Sequence, residues 1–123
     1  MLLVDTSIWI DHLHQLESSL ADALHGSMVG QHPMVVGELA LGALRDRAAF
    51  LELLANLPEI QVATHGEVMH LVEERQLYGQ GLSFVDAHLL ASTLLTSGAR
   101  LWTRDKRLLK NAQALGIAYS PDD

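Results

Sequence analysis

The chain has 123 residues and carries 15 acidic side chains against 8 lysines and arginines, a formal charge of −7 with histidine neutral. This length is typical of one domain with a single core, and an apolar fraction of 49% argues against intrinsic disorder. The lack of cysteine excludes disulfides, thiolate metal sites and a cysteine nucleophile. The acidic balance argues against a protein that coats nucleic acid through bulk positive charge.

The sequence predicts one domain in a reducing compartment. No apolar run reaches the length of about 18 residues that a membrane span needs, and the apolar start before Asp5 is too short for a signal peptide. Together with the lack of cysteine, these features indicate a cytoplasmic location. Because no linker rich in Gly, Pro or Ser divides the chain, we predict a domain over 1–119 and a short flexible tail over 120–123.

The first half of the chain alternates short apolar runs with helical patterns. Residues 1–4 (MLLV) end abruptly at Asp5 and predict a buried strand. A second short strand is predicted near 28–29, followed by a turn at 32–33. Helices are predicted over 6–14, 16–25, 34–44 and 46–56.

The second half repeats this alternation. Its predicted strands are 60–63 (IQVA), 100–103 (RLWT) and 117–119 (IAY). Its predicted helices are 65–78, 84–97 and 105–115. Such alternation predicts an α/β domain with a largely parallel sheet of four or five strands and helices on both faces.

Four acidic residues occupy unusual positions in this pattern: Asp5, Glu38, Asp86 and Asp105. Asp5 and Asp105 follow strands, where open α/β sheets bind ligands, although an Asp there also serves as a helix N-cap. Glu38 interrupts an apolar helix, so it either faces solvent or is buried and needs a partner. Asp86 matches a capping box with Ser83 but also shares an apolar helix face.

The four acids together suggest more than four separate caps. Carboxylates that converge at the ends of parallel strands would repel and raise each other's pKa unless a cation neutralised them. Oxygen ligands of this kind suit Mg²⁺ or Mn²⁺. Such ions activate water and stabilise an in-line displacement at phosphorus. The acids therefore either bind metal for phosphodiester chemistry or act only as caps.

Four motifs carry these acids: VDTSIWID at 4–11, VVGELALG at 35–42, FVDAHLLAST at 84–93 and LWTRDKRL at 101–108. In order and spacing they resemble the motifs of PIN-domain ribonucleases, most closely the VapC toxins of type II toxin–antitoxin systems. The resemblance covers residues 2–119. It implies that the four acids form the catalytic and metal-binding site, and none of them is replaced in this chain.

The resemblance also implies an activity and partners. It implies a three-layer PIN-like fold and an endoribonuclease that uses one or two Mg²⁺ or Mn²⁺ ions and inhibits translation by cleaving RNA, such as tRNA. It implies a small antitoxin protein as partner, and a homodimer. Thr6 and Thr103 are expected to position a water or a phosphate oxygen. The alternatives are a solitary RNA-processing nuclease and a non-catalytic PIN-like module that binds protein or RNA.

Most of the basic residues lie beside Asp105. Five of the eight fall within 11 residues: Arg100, Arg104, Lys106, Arg107 and Lys110. This cluster is either a solvated helix face or a cationic rim that contacts RNA phosphates, with Arg104, Lys106 and Arg107 as the expected contacts. Without the four proposed ligands, 11 acids remain against 8 bases, so the acidity mainly reflects the metal site and the tail.

Overall fold

A three-stranded parallel sheet supports the fold in the computed structural model, which describes residues 1–121 and so omits the last two residues of the predicted tail. The strands are β1 (Leu2–Val4), β2 (Val29–Gly30) and β3 (Arg100–Trp102), in the order β2-β1-β3. All of β1 is buried, which explains its uninterrupted apolar sequence. Because Val4 pairs with Trp102, the residues after β1 and β3 emerge side by side.

Seven helices accompany these strands within residues 1–121. They are α1 (Thr6–His14), α2 (Ser18–His25), α3 (Pro33–Ala40), α4 (Arg47–Ala55), α5 (His65–Glu74), α6 (Phe84–Leu95) and α7 (Lys106–Ala114). The α/β class with a parallel sheet is therefore confirmed. In the described part of the chain, no helix combines the length and apolar character needed to cross a membrane.

The sheet has three strands rather than four or five, partly because the segment 60–63 does not join it. Only a single parallel bridge forms at this edge, between Gln31 and Glu59. Beyond it, the backbone N–H of Gln61 donates to the hydroxyl of Thr96, the C-cap of α6, and that of Ala63 donates to the hydroxyl of Ser92 in α6, each at 2.9 Å. A segment whose backbone donors are satisfied by helix side chains does not extend a strand ladder.

At the opposite edge, the predicted strand 117–119 is likewise a single bridge, between Leu101 and Ala118. Leu101 donates its N–H to the carbonyl of Ile117 at 2.7 Å and accepts the N–H of Tyr119 at 2.9 Å. Both hydrogen bonds belong to one residue of β3. The segment therefore borders the sheet without forming a ladder of its own.

Two helices end four residues earlier than predicted. The helix expected over 34–44 ends at Ala40, whose carbonyl accepts a hydrogen bond from the guanidinium of Arg47 at 2.9 Å. The helix expected over 65–78 ends before Gln76, which takes a left-handed φ of 53°. Neither a cap from a side chain seven residues away nor a left-handed residue other than glycine matches the usual sequence signals of a helix end.

His32 caps α3 from inside the core, where the sequence predicts only a turn. Its Nδ1 accepts the N–H of Met34 at 3.0 Å, so the neutral ring carries its proton on Nε2 and donates to Ser92 Oγ, also at 3.0 Å. Ser92 Oγ additionally accepts the N–H of Ala63. Burial, reinforced by His88, lowers the pKa of His32 to about 4. The histidine thus joins the start of α3 to α6.

Candidate active site

Asp5 lies at the carboxyl end of β1, where the chain turns into α1. Its N–H donates to the carbonyl of Trp102 at 3.0 Å, and its carboxylate accepts the N–H of Ser7 as the N-cap of α1. Only 6% of the residue is exposed. Asp5 is therefore both a helix cap and a buried acid at the end of the central strand.

Thr103 connects Asp5 to the segment that follows β3. Its hydroxyl donates to Oδ2 of Asp5 and accepts the N–H of Asp105 at 3.1 Å. Thr103 is 5% exposed, so water does not compete for these hydrogen bonds. The hydroxyl holds the Asp5 carboxylate in one orientation beside the start of α7.

The electrostatic environment of Asp5 opposes its negative charge. Burial raises the pKa of Asp5 above its ordinary value of 3.8, and the nearby carboxylate of Asp86 raises it further. Hydrogen bonds from Thr103 and Ser7 act in the opposite direction, since they stabilise the charged carboxylate. A buried acid beside a second acid is typical of a site that binds a cation or transfers a proton.

Asp86 and Asp105 form the capping bonds expected at their helices. Asp86 Oδ2 accepts the N–H of Ser83, and Ser83 Oγ accepts the N–H of Asp86, both at 3.0 Å. Asp105 Oδ1 accepts the N–H groups of Arg107 and Leu108, also at 3.0 Å. These bonds direct carboxylate oxygens toward the first turns of α6 and α7.

Glu38 lies on the exposed side of α3. Val35 and Leu39 are the buried residues of this helix, so Glu38 faces away from the core. Of the two alternatives that the sequence allows, the solvent-facing position is the observed one. Glu38 Oε1 accepts the hydroxyl hydrogen of Thr6 at 2.8 Å, which joins it to the residue that follows Asp5.

The four acids thus differ in how closely each is connected to Asp5 at the end of β1. Asp86 is close enough to Asp5 to raise its pKa, and Asp105 is linked to Asp5 through Thr103. Glu38 is connected to Asp5 only indirectly, through its hydrogen bond with Thr6 in the first turn of α1. Within residues 1–121, no three acidic or histidine side chains converge tightly enough to hold a metal ion.

Arg104 forms ion pairs that the sequence pattern does not reveal. Its guanidinium contacts the carboxylates of Asp11 and Glu17, the latter at 2.7 Å, and hydrogen bonding to both raises the pKa of Arg104. The backbone N–H of Arg104 donates to Ser7 Oγ at 3.3 Å. The acidic partners lie 93 and 87 residues away in sequence, so no local motif indicates them. These contacts join the β3–α7 loop to α1 and α2.

Lys106 and Arg107 are exposed in the first turn of α7, directly after Asp105. Neither forms an ion pair with any residue in the part of the chain that the structure describes. They therefore differ from Arg104, whose guanidinium already has two acidic partners.

Two clefts lie beside these residues. One of about 580 Å³ is bordered by Thr103 and Arg104 on one side and by Tyr119 on another. The other, of about 530 Å³, lies between α1 and the segment after α3 and includes Glu38 in its wall. These clefts adjoin the site through Thr103 and Glu38, and neither is lined by Asp5, Asp86 or Asp105.

Comparison with known proteins identifies the family. The family model of the PIN domain matches residues 2–114, a span that includes all four acids. The chain is also similar to Ribonuclease VapC32 of Mycobacterium tuberculosis, in strains CDC 1551 and H37Rv, with 49% identity over 122 residues. The alignment covers 99% of this chain and 98% of each relative. The resemblance found in the four motifs is thereby confirmed, and the chain belongs to the PIN-domain family, among the VapC ribonucleases.

Proposed function

We propose that this protein is a divalent-metal-dependent endoribonuclease and the toxin of a toxin–antitoxin pair. The main support is Asp5, a buried acid at the end of the central strand, held by Thr103 beside Asp86. The chain that carries this acid belongs to the PIN-domain family, and its relatives are named ribonucleases.

The donor set has the right chemistry for a hard divalent cation. The four acids Asp5, Glu38, Asp86 and Asp105 offer only oxygen ligands, which Mg²⁺ and Mn²⁺ prefer. The raised pKa of Asp5 reflects a charge that burial and Asp86 both oppose, and a cation would relieve both effects. Because no three of these side chains lie close enough in the described residues to share one ion, we propose that the four acids hold one or two ions directly or through water, with water completing the coordination. When bound, such an ion activates water and stabilises charge that develops at phosphorus.

The residues of the chain position this site and its substrate. The hydroxyls of Thr103 and Thr6 orient the carboxylates of Asp5 and Glu38. A neighbouring carboxylate accepts the proton of the attacking water. In-line hydrolysis of this kind needs no 2′-hydroxyl, and it leaves a 3′-hydroxyl and a 5′-phosphate on the products.

The cationic rim and the biological setting complete the proposal. Of the three basic residues that the sequence places beside Asp105, Arg104 is already paired with Asp11 and Glu17. We propose that the other two, Lys106 and Arg107, are the contacts for RNA phosphates, since neither has an acidic partner within residues 1–121. From the likeness to the VapC group we propose that the RNA substrate includes tRNA, and that cleavage inhibits translation in the cytoplasm. A small antitoxin protein would hold the enzyme inactive, and the enzyme would act as a homodimer.

Cleavage of labelled tRNA by the purified protein tests the activity. We expect cleavage in Mg²⁺ or Mn²⁺, none in EDTA, and loss in Asp5→Asn and Asp86→Asn, because a neutral amide is a poor metal ligand. Asp22→Asn, an exposed acid on α2, is the matched control and should keep full activity. Circular dichroism should show that all three variants are folded like the wild-type protein. The proposal would be contradicted if the wild-type protein cleaved as fast in EDTA as in Mg²⁺, or if both active-site variants cleaved as fast as the wild-type protein.

Two observations separate the proposal from its alternatives. A non-catalytic module that uses its acids only as caps predicts a melting temperature independent of divalent cations, whereas a metal site predicts a rise on adding Mn²⁺. A short open reading frame directly upstream supports a toxin, and its absence favours a solitary RNA-processing nuclease. Mapping of RNA ends after a brief pulse of expression identifies the target.

A further inference from the structure

The two arginines that flank Asp105 differ in what their guanidinium groups contact. The guanidinium of Arg104 is engaged by two carboxylates of α1 and the start of α2. Arg107 has no acidic partner among residues 1–121 and is exposed. Of these two arginines, only Arg107 therefore has a guanidinium whose hydrogen-bond donors no carboxylate of the described residues occupies.

The end of the Arg107 side chain occupies the space that a side chain at Gly81 would need. A Cβ atom at Gly81 would come within 2.8 Å of Arg107 Cδ and Nη1 and within 3.0 Å of Cζ. Gly81 also has a φ of +76°, in the left-handed region that favours glycine. The glycine thus leaves a space that the guanidinium occupies, in a loop whose Gly79-Gln80-Gly81 sequence by itself indicates only a turn.

This contact lies between two elements that carry acids of the proposed site. The N–H of Arg107 donates to Asp105 Oδ1 at 3.0 Å, and its carbonyl accepts Asn111 Nδ2 at 2.9 Å, so its backbone is fixed relative to Asp105. Gly81 belongs to the loop that leads into α6, the helix that begins with the capping box of Asp86. The guanidinium therefore lies between the loop that leads into α6 and the first turn of α7.

We propose that Arg107 binds an RNA phosphate beside the acidic site and that Gly81, which lacks a Cβ atom, is the positioning residue that leaves room for its guanidinium there. The identity of the anion rests on the proposed function. An arginine fork suits phosphate because its parallel N–H groups bind two oxygens at once. Arg104 instead ties the β3–α7 loop to α1, so the rim contains one structural arginine and one that binds substrate.

The two glycines of this loop provide a matched pair of variants. Gly79 shares the left-handed conformation, with a φ of +73°, but a Cβ there would meet no atom within 4 Å. Gly79→Ala and Gly81→Ala therefore introduce similar backbone strain, and only Gly81→Ala displaces the guanidinium of Arg107. Arg107→Ala, alone and combined with Gly81→Ala, completes the set.

The measurements are KM and kcat for cleavage of a fluorescein-labelled tRNA in Mg²⁺. Fluorescence anisotropy gives the Kd of the same RNA, in proteins that also carry Asp5→Asn to prevent cleavage. We expect Arg107→Ala to raise KM and Kd about tenfold and to reduce the slope of log Kd against log salt by about one, with a smaller effect on kcat. Gly81→Ala should raise KM several-fold, whereas Gly79→Ala should leave KM unchanged. In a protein that already carries Arg107→Ala, Gly81→Ala should not raise KM further.

Equal KM values for the two glycine variants would overturn the role of Gly81. An unchanged KM and salt slope in Arg107→Ala would overturn the phosphate contact, and a reduced slope in Arg104→Ala instead would assign that contact to Arg104. If the wild-type protein cleaves no RNA in Mg²⁺ or Mn²⁺, the proposed function fails. The anisotropy series still decides the role of Arg107 in that case, because it needs no cleavage.

Discussion

The hydroxyl of Thr103 offers a direct test of how the buried acid is held. Thr103→Val removes the O–H that donates to Asp5 and the oxygen that accepts the N–H of Asp105, while nearly preserving side-chain shape. Both Thr103 and Asp5 are almost fully buried, so water does not replace the lost bonds. Thr103→Ser keeps the hydroxyl and is the matched control.

The expected loss follows from the partners of the hydroxyl. A hydrogen bond to a charged group contributes about 1.5–3 kcal/mol, and a neutral one to a backbone N–H about 1 kcal/mol. We therefore expect Thr103→Val to lower the free energy of unfolding by about 3 kcal/mol at pH 7, measured by urea denaturation. Thr103→Ser should lose much less, because both bonds can form.

The loss in Thr103→Val should also depend on pH. The hydroxyl lowers the pKa of Asp5 by stabilising its charged form, so the variant has a pKa raised further above 3.8. The charge-dependent part of the loss is fully present above that raised pKa and fades as the pH falls through it and Asp5 becomes protonated. Equal unfolding energies of the Val and Ser variants at pH 7, or a difference independent of pH, would refute this reasoning.

Two further predictions concern groups that stabilise the surroundings of the site. Because the unfolded chain binds a proton at His32 below pH 6.5 and the folded protein only below about 4, the protein should lose up to about 3 kcal/mol of unfolding free energy between these pH values. His32→Gln should flatten that dependence in urea denaturation, and an unchanged slope would contradict the buried neutral ring. Arg104→Ala should lower the free energy of unfolding by at most about 1 kcal/mol, because both ion pairs are partly exposed. In a protein that already carries Asp11→Asn and Glu17→Gln, the same substitution should cause no further loss, because the ion pairs are already absent. Fully additive losses in thermal unfolding would show that the ion pairs do not stabilise the loop.

The elements that the sequence predicts well are those with local causes. The strand before Asp5 and the helices after Asp5, Ser83 and Asp105 depend on apolar runs and on capping bonds that span two or three residues. The same local signals locate the four acids and the motifs of the PIN-domain family. Where a helix end is capped by a side chain outside the usual capping spacing, as Ala40 is by Arg47 seven residues later, the predicted helix end is wrong.

The sequence by itself therefore determined the α/β alternation, the positions of the acids and the family. Only the tertiary structure decided which apolar segments join the sheet, since the N–H of Ala63 donates to Ser92 on α6 rather than to a strand. It likewise gave Arg104 and Arg107 different surroundings, although they stand three residues apart. The reason is physical: these outcomes depend on contacts between residues far apart in the chain, and such contacts exist only once the sheet and helices have packed.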